Sequence, residues 1–94
     1  MIKSIHHKGL KLLWTQGDAS KIKSEYLHKI KKVLNIIHYL EDVPQDLESF
    51  KNLRPHPLKG ELKGFWSLDI SGNWRIIFRF TDGNAYDLDY LATH

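Results

Sequence analysis

Ninety-four residues, 41% of them hydrophobic, suffice for a single domain spanning residues 1–94 and exclude a second. With no cysteine, disulfides and thiolate metal sites are excluded. No apolar run approaches the ~18 residues of a membrane span or resembles a signal peptide, so a soluble, cytoplasmic protein without membrane contact is expected. A formal charge of +3 with six histidines permits an anionic partner such as RNA without requiring one.

In chain order, Ile2 and Ile5 give residues 1–7 the β-branched character of a short strand. From Lys8, the spacing of Leu10, Leu13 and Trp14 predicts a short amphipathic helix, stopped by Gly17. After a break at Asp18-Ala19-Ser20, Ile22, Tyr26, Ile30, Val33, Ile37 and Leu40 recur at intervals of three and four. Leu27 and Leu34 widen that stripe, and Lys29, Lys31, Lys32 and Asn35 occupy the opposite side as a solvated face or an RNA contact. This second helix begins at residue 21 or 25 and ends at 41, before Pro44. Leu47, Phe50 and Leu53, three residues apart, suit a single helical or 3₁₀ turn.

The chain is organised around His56-Pro57-Leu58-Lys59-Gly60 and the alternating runs after it. Flanked by Pro55 and Pro57, His56 is held extended and belongs to a loop feeding a β-meander. Three such runs, at about 64–71, 74–81 and 84–91, predict antiparallel strands. Their core faces are Trp66/Leu68/Ile70, Trp74/Ile76/Phe78/Phe80 and Tyr86/Leu88/Tyr90. A two-residue Asp82-Gly83 turn would oppose Phe78 to Asp87 and Ile76 to Asp89, burying two carboxylates, so a three-residue loop is expected. Arg75, Ile77 and Arg79 then share the second face with Asp69, Asp87 and Asp89.

That second face admits several readings. Arg75 beside Asp69 or Asp89 forms a cross-strand ion pair, or it is free for an anionic ligand. Asp87 and Asp89 suit a hard cation such as Mg²⁺, but no third acidic ligand is evident beside them on the strand. The histidines His6, His7, His28 and His38 lack metal-ligand spacing and are read as surface residues, so no metal or other cofactor is expected. Neither a phosphate-binding glycine loop nor a serine or cysteine nucleophile motif is present.

Several motifs, taken together, resemble one family across essentially the whole chain. They are Lys8-Gly9-Leu10, His56-Pro57-Leu58-Lys59-Gly60, Gly64-Phe65-Trp66-Ser67, Asn73-Trp74-Arg75-Ile76, Asp82-Gly83-Asn84-Ala85-Tyr86 and a carboxy-terminal histidine. The set is similar to that of the HigB ("host inhibition of growth") toxins of the RelE-like superfamily. The resemblance implies an α+β fold in which an N-terminal strand and two helices pack on one face of a small twisted antiparallel sheet. It implies a toxin that cuts messenger RNA in the ribosomal A site, inhibited by a HigA-type helix-turn-helix antitoxin, with promoter DNA reached only through that antitoxin. By the same resemblance His56, Lys59, Arg75 and His94 fall at catalytic positions; Asp89 and Tyr90 lie near them without matching the motif, and with Arg79 they are the candidates for binding substrate.

Cleavage by the RNA's own 2′-hydroxyl needs a proton acceptor, a proton donor for the departing 5′-oxygen, and cations for charge accumulating on the phosphate. An imidazole, with an unperturbed pKa near ~6.5, suits the proton transfers. Arg75 offers a planar fork for two phosphate oxygens and Lys59 a compact charge. Which of His56 and His94 is base and which acid stays open. Family members end in an acidic residue, tyrosine and histidine, whereas this chain ends Ala92-Thr93-His94. Asp89 and Tyr90 are candidates to stand in for the missing pair. Two other readings remain: a non-catalytic inhibitor of DNA gyrase, as in the related ParE group, and a degenerate toxin that only binds antitoxin.

Overall fold

A computed structural model describes residues 1–92. Helix α1 (Lys8–Gln16) and helix α2 (Ser24–Tyr39) precede a 3₁₀ segment, Gln45–Leu53, that runs well beyond the expected single turn. Strands β1 (His56–Pro57), β2 (Trp66–Asp69), β3 (Trp74–Thr81) and β4 (Asn84–Ala92) form an antiparallel sheet in the order β1-β2-β3-β4. A 3₁₀ turn, Gly60–Leu62, lies between β1 and β2.

One face of the sheet and both helices close a single core. Leu10, Ile30, Val33, Leu34 and Ile37 meet Leu68, Ile76, Phe78 and Leu88, each no more than 1% exposed. Alternation along each strand is what sends these residues inward and their neighbours outward. The helices obey their caps. Gly17 closes α1 with φ +69 and donates its N–H to the Leu12 and Leu13 carbonyls. At the other end of α1, His7 Nδ1 accepts the Leu10 N–H at 3.2 Å.

Three sequence-based expectations are corrected. His56 is in a strand rather than a loop, because the extended conformation imposed by the prolines lets His56 and Pro57 pair with Ser67 and Trp66. The β3–β4 turn has two residues, Asp82 and Gly83, at φ +51 and +78, with Thr81 opposite Asn84. The parity conflict that this creates is relieved by a bulge instead of a longer loop. Arg79 pairs with Tyr86 but Ile77 pairs with Asp89, so β4 carries one extra residue, and Asp87 bends through φ +56. The bulge returns Leu88 and Tyr90 to the core side but leaves Tyr86 opposite Arg79 on the second face, against the expectation that Tyr86 is inward.

The same bulge explains why the amino-terminal segment runs along β4 without forming a continuous strand. Ile2 and Ile5 make isolated parallel bridges to Ala85 and Leu88. Between them Ser4 Oγ accepts the Asp87 N–H at 2.8 Å, replacing the interrupted ladder. Nor is every histidine a free surface group. His38 Nδ1 accepts the Ile2 N–H at 3.1 Å and its ring packs against Trp14, while His7 caps α1.

Candidate functional site

The second face of the sheet assembles most of the predicted site residues. Directly opposed residues of an antiparallel pair point to the same side. The pairs His56–Ser67, Ser67–Ile77 and Ile77–Asp89 therefore form one row across all four strands, and Asp69–Arg75–Leu91 forms the next. At about 4.8 Å between strands and 3.3 Å per residue, the His56 and Arg75 backbones are about 12 Å apart. A phosphodiester group fits between side chains of that reach.

His56 is exposed, and its Nδ1 lies 2.8 Å from the Arg54 carbonyl oxygen. A carbonyl can only accept, so in the neutral ring the proton sits on Nδ1 and Nε2 presents a free lone pair. Arg54 itself holds φ +50 at the end of the 3₁₀ segment, which turns its carbonyl toward the ring. Its guanidinium reaches Asp69, Nε to Oδ2 at 3.7 Å. The expected cross-strand partner of Arg75 is thereby engaged elsewhere, and Arg75 forms no ion pair among the described residues.

Two donors on this face are buried without a hydrogen-bond partner among the described residues: Arg75 Nε and Ser67 Oγ. They are diagonal neighbours, since Ser67 opposes Ile77 and Arg75 stands two residues earlier on the same strand. Leaving a buried donor unmade costs about 1–3 kcal/mol, so two side by side are a standing deficit on an otherwise well-satisfied structure.

Beside them a cleft of about 300 Å³ is lined by His6, Leu62, Phe65, Ile77, Arg79, Asp87, Asp89 and Leu91. Arg79 is held over the Phe65 ring, 4.3 Å from its centroid, and its Nε is 3.6 Å from Asp87 Oδ2. Gly64, at φ +98, makes this possible, because a Cβ there would stand 2.8 Å from the Arg79 Nη1 atom. Asp89 accepts the N–H of Tyr90 at 2.9 Å. With Asp87 tied to Arg79 and Ser4, the two carboxylates are engaged separately. Among the described residues no group of three His, Asp or Glu side chains converges.

Lys59 is exposed at the head of the Gly60–Leu62 turn, in a loop closed by the Leu58 N–H to Phe65 carbonyl bond of 2.9 Å. Tyr90 is not brought together with Arg75. It opposes Ile76, on the helix side, and stacks on Trp74 with centroids 5.0 Å apart. Burial pushes its phenol up to about 12. His94 lies outside the described residues. Sequence reading missed Arg54, Phe65 and His6. Only the Arg54-Pro55 step before His56 offered a local signal.

Known proteins share this outline. A family model described as a RelE-like toxin of the type II toxin-antitoxin system HigB matches residues 3–94. Endoribonuclease HigB of Proteus vulgaris is 39% identical over 94 residues, covering 100% of both chains. Toxin YoeB of Streptomyces coelicolor is 34% identical over 65 residues, 62% of this chain and 73% of the relative. Among solved structures, a YafQ mutant from E. coli superposes with a TM-score of 0.63 at 17% identity, covering 99% of this chain and 92% of the other. A YoeB/ParE toxin from Agrobacterium tumefaciens gives 0.56 at 13% identity over 100% of both. At those identities the structures speak for the fold alone.

Proposed function

The chain belongs to the HigB-like family of RelE-like toxins of type II toxin-antitoxin systems, and we propose that it is an endoribonuclease that cuts messenger RNA on the ribosome. The observation that carries this reading is the second sheet face, where a histidine with a free Nε2 stands across from an arginine lacking any carboxylate partner among the described residues. A gyrase inhibitor would need neither.

In the proposed reaction His56 Nε2 takes the proton of the RNA 2′-hydroxyl. The O2′–P bond forms as the P–O5′ bond breaks, leaving a 2′,3′-cyclic phosphate on one fragment. His94, the other predicted histidine, supplies the proton to the departing 5′-oxygen, so the second fragment carries a 5′-hydroxyl. The half-buried Arg75, which forms no ion pair among the described residues, offers its guanidinium to a non-bridging phosphate oxygen as charge accumulates there. Lys59 and Arg79 add positive charge at the margins, and Asp89 lines the substrate cleft. Ala92 replaces the usual acidic residue, so Asp89 is the carboxylate nearest the chain end among the described residues.

Membership of a type II system means that an antitoxin partners this chain. We assign that partner to the HigA helix-turn-helix type and the site of action to the cytoplasm. No described helix is long and apolar enough to cross a membrane. Inducing the protein in growing cells and mapping transcript 5′ ends tests the function. In-frame cuts inside translated regions are expected, and intact transcripts with stalled replication would contradict it.

A further inference from the structure

On the helix side of the same strand ends lies another cleft, about 300 Å³, lined by His7, Lys21, Lys23, Tyr26, Trp74 and Tyr90. Trp74 and Tyr90 stack with ring planes 27° apart, and His7 stands edge-on to Tyr90 at 5.7 Å. The His7 ring is fixed there by its cap on Leu10. Core packing accounts for the inner sides of Trp74 and Tyr90, which lie against the buried cluster. It does not account for their outer sides, which remain partly open and are walled by lysines.

The charges favour an anion. Lys21 makes no ion pair within contact distance among the described residues, though its charge reaches the Asp18 carboxylate. Lys23 sits 5.8 Å from the Tyr26 centroid and shares its charge with Glu25 at 2.7 Å. Aromatic plates flanked by ammonium groups take a nucleobase by stacking and a phosphate by charge. The volume is near the lower end for small-ligand sites, room for one nucleotide rather than an extended partner.

Position connects this cleft to the other face. Trp74 is the chain neighbour of Arg75 and points to the opposite side. It is the first residue of β3 and pairs with Ala92, the last of β4. The two sites therefore stand back to back at the end of the sheet, on opposite faces of the same strands.

We propose that this cleft binds a nucleotide of the substrate RNA that flanks the scissile phosphate, its base on the Trp74–Tyr90 plates and its phosphate on Lys21 and Lys23. That the RNA is a substrate rests on the nuclease reading above; that the cleft binds RNA does not.

The test is fluorescence anisotropy with a labelled oligoribonucleotide carrying a 2′-deoxy residue at its cleavage position, alongside single-turnover cleavage on programmed ribosomes. Lys21→Ala/Lys23→Ala, at two exposed positions, is expected to weaken binding about tenfold or more and to lower the log–log salt slope by about 1.4. The half-saturating concentration for cleavage should rise with it while the maximal rate holds. Tyr90→Phe should bind as the wild type does, and Tyr90→Leu about tenfold more weakly. Unchanged affinity and salt slope in the lysine variant, with the wild type still cutting RNA, would overturn the cleft and leave the nuclease standing. Weakened oligonucleotide binding with a wild type that never cuts would support the cleft and sink the nuclease reading. If the lysine variant keeps RNA but loses its antitoxin, the cleft is a protein interface and the proposal fails.

Discussion

The two faces of the sheet are made from alternate residues of the same strands, yet they are satisfied to different degrees. On the helix side Leu68, Ile76, Phe78 and Leu88 are fully buried among apolar neighbours. On the other side Ser67 and Arg75 bury donors with no partner among the described residues, and Arg54, Arg79 and Asp89 line up around them. A surface selected only for stability would have filled those positions with paired or apolar groups. The contrast separates the residues that hold the fold from those held by it, and each can be perturbed alone.

The largest expected effect is on the packed face. Phe78→Ala should cost about 3–5 kcal/mol in denaturant unfolding, enough to leave a small domain barely folded. Arg75→Ala should do the converse, lowering single-turnover cleavage by about 10²–10³ while the unfolding midpoint stays or rises. A large loss of stability in Arg75→Ala would erase the distinction between the faces.

Adjacent residues on β2 sharpen the comparison further. Leu68→Ala should cost about 2–5 kcal/mol, whereas Ser67→Ala should change stability by under about 1 kcal/mol in either direction, because its hydroxyl has no partner among the described residues. Equal losses at the two positions would show that Ser67 has a native hydrogen bond.

The smallest effect lies away from the sheet. The backbone N–H groups of Asp42 and Glu41 hold the Asp46 carboxyl below its usual 3.8. A depressed folded value stabilises above the unfolded pKa and is lost as pH falls through the folded one. The melting temperature of Asp46→Ala should thus lie below wild type at pH 7, with the gap closing below about pH 4. A gap that persists into strong acid would assign the effect to something other than charge.

What was legible in the chain was what repeats locally. The 3–4 spacing from Ile22 to Leu40 and the alternation from Trp66 to Ile70 and Trp74 to Phe80 marked α2 and the inward faces of β2 and β3. The alternation also located Arg75 and Arg79 outward. The bulge at Asp87 was not legible, because its positive φ is supported by Ser4, 83 residues away. Strict alternation then misjudged Tyr86 and the β3–β4 turn. His56 was found by its prolines, but the strand it forms depends on Ser67, and its tautomer on a carbonyl that no side-chain pattern advertises. The roles of His7, which caps α1, and of His38, which accepts the Ile2 N–H, were hidden for the same reason: their partners are backbone N–H groups.

If the outer face carries the chemistry, it does so through His56. Single-turnover cleavage of messenger RNA on programmed ribosomes, by wild type and His56→Ala matched for thermal melting, tests that most directly. The exposed ring should be dispensable for folding, and its loss should slow cleavage by at least about 10², with wild-type products bearing 2′,3′-cyclic phosphate and 5′-hydroxyl ends. A His56→Ala enzyme that cuts within tenfold of wild type would contradict it.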